Sequence, residues 1–134
     1  MQEVTITLVA DKGARLKEGR YGYLMECAGK EVTGRGREKD TTRNRLCLLA
    51  LTHALARMTR PAAITVVTDN AYLVGSHARL HEWQQAGWKN SRGDQIANAD
   101  LWQQVYKSQK VHAIRITLGS PAEQGFSIGK AFKD

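Results

Sequence analysis

The segment Leu46 to Met58, LCLLALTHALARM, constrains the fold more than any other part of this chain. Leu48, Leu51, Leu55 and Met58 fall on one helical stripe, with Leu46, Leu49 and Ala50 beside it. A helix with so little polar face must be largely buried. Thr41 and Thr42 precede it as candidate caps, and Pro61 ends it. Directly behind comes Ala63 to Thr68, AITVVT, a continuous apolar run of the kind found in central parallel strands covered on both faces. A buried helix that feeds such a strand predicts layered α/β packing.

The flanking segments fill in that frame. Residues 4 to 10, VTITLVA, alternate and are rich in β-branched side chains, so they predict a first strand. A basic loop from Asp11 to Arg20 follows. Tyr21 to Cys27 and Glu31 to Arg37 read as two more strands, joined by a tight turn at Ala28, Gly29 and Lys30. Past Thr68, Asp69 and Asn70 open a helix from Ala71 to about Ser76. Residues 79 to 88 predict a short helix broken at Gly87, and a polar loop runs through Asp94. Asn98 or Asp100 starts a further helix to Lys107, and Val111 to Leu118 alternates as a last strand. The tail after Pro121 has room for one or two helical turns. The expected order is β-β-β-α-β-α-α-α-β, without repeat or linker, as one domain over residues 1 to 134.

The 134 residues suit one ordinary globular domain, with 20 Lys+Arg against 13 Asp+Glu for a net charge of +7. Residues 1 to 60 hold 12 basic and 7 acidic residues, net +5, against 8 and 6, net +2, in the remainder. Such an excess favours a polyanionic partner, nucleic acid before others. Cys27 and Cys47 make neither a disulfide framework nor a metal cluster. No run is apolar enough to span a bilayer, and no signal-peptide pattern is visible at the start. A reduced, cytoplasmic protein with no membrane partner is the expectation.

Four local strings add a specific likeness. Thr42-Arg43-Asn44-Arg45 matches T-x-N-R, Thr68-Asp69-Asn70-Ala71-Tyr72 is close to T-D-S-x-Y, Trp83 to Lys89 matches W-x-x-x-G-W-K, and Asn98 to Trp102 matches N-x-D-L-W. In this order and at these separations, the chain resembles type 1 ribonuclease H over essentially its full length. The resemblance implies a ribonuclease H-like fold: a five-stranded mixed sheet, three antiparallel strands then two parallel, with helices on both faces. It also implies an activity, cutting the RNA strand of an RNA–DNA hybrid with two Mg²⁺ ions held by four carboxylates. Two divalent ions held side by side repel each other, so anionic oxygens must bridge and flank them.

Here the resemblance leaves one acid of four. Its first Asp falls on Val9, its Glu on Cys47 and its last Asp, by best match, on Ser127; Asp69 alone keeps its type. Asp11, two residues beyond Val9, is the nearest substitute, about 7 Å further along the strand. A lone Asp69 suits capping of the following helix, and Cys47 suits a small core residue. No metal is therefore expected unless Asp11 and Asp69 rebuild a magnesium site. For binding, the resemblance implies that Thr42, Asn44, Arg45 and Lys89 lie beside the nucleic-acid strands. Lys12, Arg15, Lys17 and Arg20 replace by charge the polar loop that the family uses, and Gln84 and Gln85 stand where its active bacterial members often carry lysines.

Three functions follow as expectations. The first is a catalytically inactive domain that binds RNA–DNA hybrid or structured RNA. The second is a protein-interaction or self-association module on the same fold. The third is a working hybrid nuclease rebuilt around Asp11 and Asp69.

Overall fold

A computed structural model describes residues 1–12 and 18–133. Five strands form one sheet: β1 (Gln2–Asp11), β2 (Glu18–Cys27), β3 (Lys30–Lys39), β4 (Ala62–Thr68) and β5 (Ala113–Leu118). Their spatial order is β3-β2-β1-β4-β5. The first three are antiparallel and the last two run parallel to β1, as the sequence predicts. Five α-helices, α1 (Arg43–Ala56), α2 (Ala71–His77), α3 (Leu80–Gln85), α4 (Ala99–Ser108) and α5 (Ile128–Ala131), and one short 3-10 helix (Ala122–Gln124) complete the described elements.

Strand alternation sets the two faces of the sheet. Val4, Ile6 and Leu8 of β1 join Tyr21 and Tyr23 of β2 in the main core, where α1 contributes Leu46, Leu48, Leu51 and Leu55. β3 supplies glycine wherever those tyrosines need room. A Cβ on Gly34 would lie 2.2 Å from the Tyr23 ring, and one on Gly36 would lie 2.2 Å from the Tyr21 hydroxyl. The opposite face carries a second, smaller cluster in which Val9 and Leu24 pack with Phe126 and Ala131 around α5. Helices thus cover parts of both faces.

Several boundaries move for physical reasons. β1 and β2 extend into the expected basic loop because Asp11 and Arg20 continue the antiparallel pairing, so only its tip is left over. Arg15 and Lys17 of that loop lie outside the described residues. AITVVT is buried on alternate residues, with the residues between them half-buried, rather than buried throughout. α3 ends at Gln85 instead of reaching position 88, because Gly87 and Trp88 both take left-handed backbone, with φ of 68° and 65°. The last strand begins at Ala113, after a turn in which the His112 ring accepts the Ala62 amide at 3.1 Å.

Candidate active site

The parallel pairing of β1 with β4 sets Thr7 opposite Val67, and two residues on it brings Val9 level with Asp69. Both line a cavity of about 240 Å³ together with Arg43, Ser127 and Ile128. The positions matched from sequence to the first, third and last family acids therefore converge on one hollow at the strand ends. Cys47 sits behind it, 1% exposed, its sulfur 3.7 Å from the Asn70 amide nitrogen. Burial pushes its thiol up, toward the protonated form.

What lines this hollow is mostly apolar. Val9 is only 6% exposed and seals against Leu24, Phe126 and Ala131. Asp69 accepts a hydrogen bond from Arg43 at 2.7 Å, so a guanidinium already neutralises the one carboxylate among the described residues that line the cavity. The Asp11 charge also reaches Arg43, while the Asp11 carboxylate is itself bonded to Arg20 at 3.0 Å. The Ser127 hydroxyl accepts the Lys130 amide and caps α5. This donor set does not fit two hard divalent cations, which need several free carboxylate oxygens in near-octahedral array. Among the described residues, no three His, Cys, Asp or Glu side chains are grouped to hold a metal.

Asp69 is not the cap of α2. Asn70 does that work, accepting the Leu73 amide at 3.2 Å while its own amide donates to Asn44 at 2.9 Å. The adjacent Thr68 hydroxyl, fully buried, holds the Asn70 backbone N–H. Asp69 is thereby left pointing outward, toward Arg43.

The expected binding residues form a rim around α1. Thr42 is the cap of α1, its hydroxyl oxygen accepting the Arg45 amide at 3.1 Å, which leaves the hydroxyl proton for a ligand. Asn44 is exposed, and its two amide hydrogens are not needed by Asn70. Arg45 is drawn inward instead. Its fork bonds Glu38 at 2.9 Å and Asp100 at 2.8 and 3.1 Å, with Asn98 at 3.3 Å, tying β3 to α1 and α4. Lys89 stands on the loop after α3, exposed and pinned by a bridge to Gln95.

The four strings interlock. Asn98 and the Trp102 indole both donate to the Tyr72 hydroxyl, at 3.0 and 2.9 Å, and Trp83 meets Trp102 edge-on with ring centres 6.4 Å apart. Arg45 reaches from the first string to the last. The family model for RNase H matches residues 5–118.

The chain belongs to the ribonuclease H family.

Among curated relatives, it is 41% identical over 97 residues to a ribonuclease H of Pelobacter propionicus, covering 72% of this chain and 60% of that protein. It is 36% identical over 115 residues to one of Cupriavidus metallidurans, covering 85% and 79%. A solved structure of LC9-RNase H1, described as a type 1 RNase H with the type 2 active-site motif, superposes with a TM-score of 0.72 at 26% identity, over 88% of this chain and 63% of that one. The chain spans only 60–65% of the length of several of the relatives it matches.

The Arg45 fork makes a checkable prediction for this ribonuclease H chain. The Asp100 carboxyl is held below the usual carboxylate range, first by its hydrogen bond from Arg45. A lowered folded pKa means stability present above the unfolded Asp pKa, about 3.9, and lost as pH falls through the folded value. Arg45→Gln is expected to cost about 1 kcal/mol at neutral pH, allowing for the exposure of Asp100. Urea titrations at several pH values should show that difference shrinking below about pH 4. A difference that stays constant down to strong acid would mean that Arg45 acts through packing alone.

Proposed function

We propose that this ribonuclease H chain binds an RNA–DNA hybrid without cutting it. The observation that carries this reading is Val9, buried in apolar contacts level with Asp69, while Arg43 occupies the Asp69 carboxylate. The matched family position on β1 offers no oxygen to a metal, and the remaining carboxylate is already paired with a cation. Thr42, Asn44 and Lys89 supply donors to phosphates and 2′-hydroxyls, while Arg45, paired with Glu38 and Asp100, holds α1 in place at the same rim. In this proposal the whole chain is one domain, acts in the cytoplasm and requires no Mg²⁺. No helix among the described residues is long and apolar enough to cross a membrane.

A second reading, cleavage of the hybrid with Mg²⁺ around Asp11 and Asp69, is favoured by the name ribonuclease H that the curated relatives carry. It requires Arg20 to release Asp11 and Arg43 to release Asp69. One assay separates the two readings: labelled hybrid with the protein in Mg²⁺, in Mn²⁺ and in chelator, for the wild type and Asp69→Asn. The expected result is retained hybrid, no RNA fragments, affinity insensitive to chelator and a steep loss of affinity with salt. Metal-dependent fragments that disappear in Asp69→Asn would establish the nuclease. Absence of any nucleic-acid binding, together with a dimer in light scattering, would favour the self-association module.

A further inference from the structure

The glycines of β3 that make room for Tyr21 and Tyr23 alternate with arginines, and the alternation sends Arg35 and Arg37 to the opposite face of the sheet. There they meet Arg20 of β2, which pairs directly across from Arg37. All three guanidinium carbons surround one aromatic ring, lying 5.1, 5.2 and 5.0 Å from the centre of Phe132 for Arg20, Arg35 and Arg37. Like charges directly opposite in a sheet are destabilising. Acidic side chains reach the group from its edge, Asp11 pairing with Arg20 at 3.0 Å and Glu18 with Arg37 at 4.0 Å, the second at the limit of an ion pair. Arg35 and Arg37 are exposed, and Lys130 and Lys133 flank the ring in sequence.

We propose that Arg20, Arg35 and Arg37, gathered round Phe132, form a phosphodiester-binding patch that provides a second contact for nucleic acid. An arginine stacked on a ring still presents its N–H edge to a phosphate, and the stack fixes the fork before the ligand arrives. A phosphate among the three would also relieve the repulsion between Arg20 and Arg37. Position supports the same ligand. Ser127 and Ile128 line the Asp69 cavity, and Phe132 lies one helical turn on, about 6 Å along α5. A strand seated at the cavity therefore continues onto the arginines.

This inference rests on the hybrid-binding reading, and the experiment keeps the two apart. Wild type, Lys89→Gln and the double variant Arg35→Gln/Arg37→Gln are titrated with a short labelled hybrid across a salt series. Thermal melts check that the variants remain folded. Every phosphate that a variant no longer neutralises should flatten the plot of log affinity against log salt by about 0.9. The double variant is expected to lose about 1.8 of slope and about tenfold or more in affinity at low salt. Slope and affinity equal to wild type overturn the patch while leaving hybrid binding intact. No binding by the wild type overturns both, and preference of the patch for polyglutamate over nucleic acid overturns the patch as a phosphodiester site.

Discussion

Trp102→Ala should destabilise the protein by about 3–5 kcal/mol, the range for removing a fully buried large aromatic. Trp102 has no solvent exposure, stacks edge-on against Trp83 and donates to the Tyr72 hydroxyl at 2.9 Å. Deleting it opens a cavity where α2, α3 and α4 meet and removes one of the two donors that the Tyr72 hydroxyl receives. Thermal unfolding followed by circular dichroism should show a midpoint lower by about 10–20 °C. Trp102→Phe retains most of the volume and loses the indole N–H, so its cost should be nearer 1–3 kcal/mol. A loss below about 1 kcal/mol in the alanine variant would show that this junction is not packed as described. The effect extends to binding, because the same junction carries the loop that holds Lys89.

A carboxylate at Val9, the position that the resemblance matches to the first family acid, gives the second large effect. Val9→Asp places a carboxylate against Leu24, Phe126 and Ala131, at a position that is 6% exposed. The cost should be about 2–4 kcal/mol at neutral pH, where the charge must either be desolvated or be neutralised by proton uptake. Burial raises the folded pKa of such an acid above the unfolded value of about 3.9. The charge part of the penalty is therefore absent below about pH 4, grows as pH rises through the unfolded pKa, and is complete above the folded one. Denaturant titrations at acid and neutral pH measure this directly, with the gap to wild type narrowing in acid to the cost of a buried neutral carboxyl. If Mg²⁺ restored stability to Val9→Asp, the cavity would still be arranged for a cation and the non-catalytic reading would be weakened.

How far the residues alone reach depends on the range of the interactions involved. The elements and their order are legible, because alternation in VTITLVA and the leucine stripe of α1 are local patterns with a single economical packing. A hydroxyl cap for α1 is legible as the Thr41-Thr42 pair, and only the structure selects Thr42, whose oxygen accepts the Arg45 amide. The match of Val9, Cys47 and Ser127 to acid positions of the family rests on the resemblance of the strings alone. The cap of α2 is not legible, since Asp69 and Asn70 are both good capping types and only the geometry of the β4 end selects Asn70. The double-sided burial expected of AITVVT also fails, because a run of apolar residues does not reveal whether a helix covers the second face.

Everything that joins distant residues had to come from the folded chain. The sequence by itself determined a β-β-β-α-β-α-α-α-β order, an excess of basic residues and a set of family strings, all of them properties of neighbours along the backbone. Tertiary structure decided that Arg43 sits on Asp69, that Arg45 is spent on Glu38 and Asp100, and that Val9 is sealed under α5. It also brought Arg20, Arg35 and Arg37 to one aromatic ring. These are side-chain choices among several partners of equal chemistry, and the choice is made by strand register and helix placement, which no local pattern encodes.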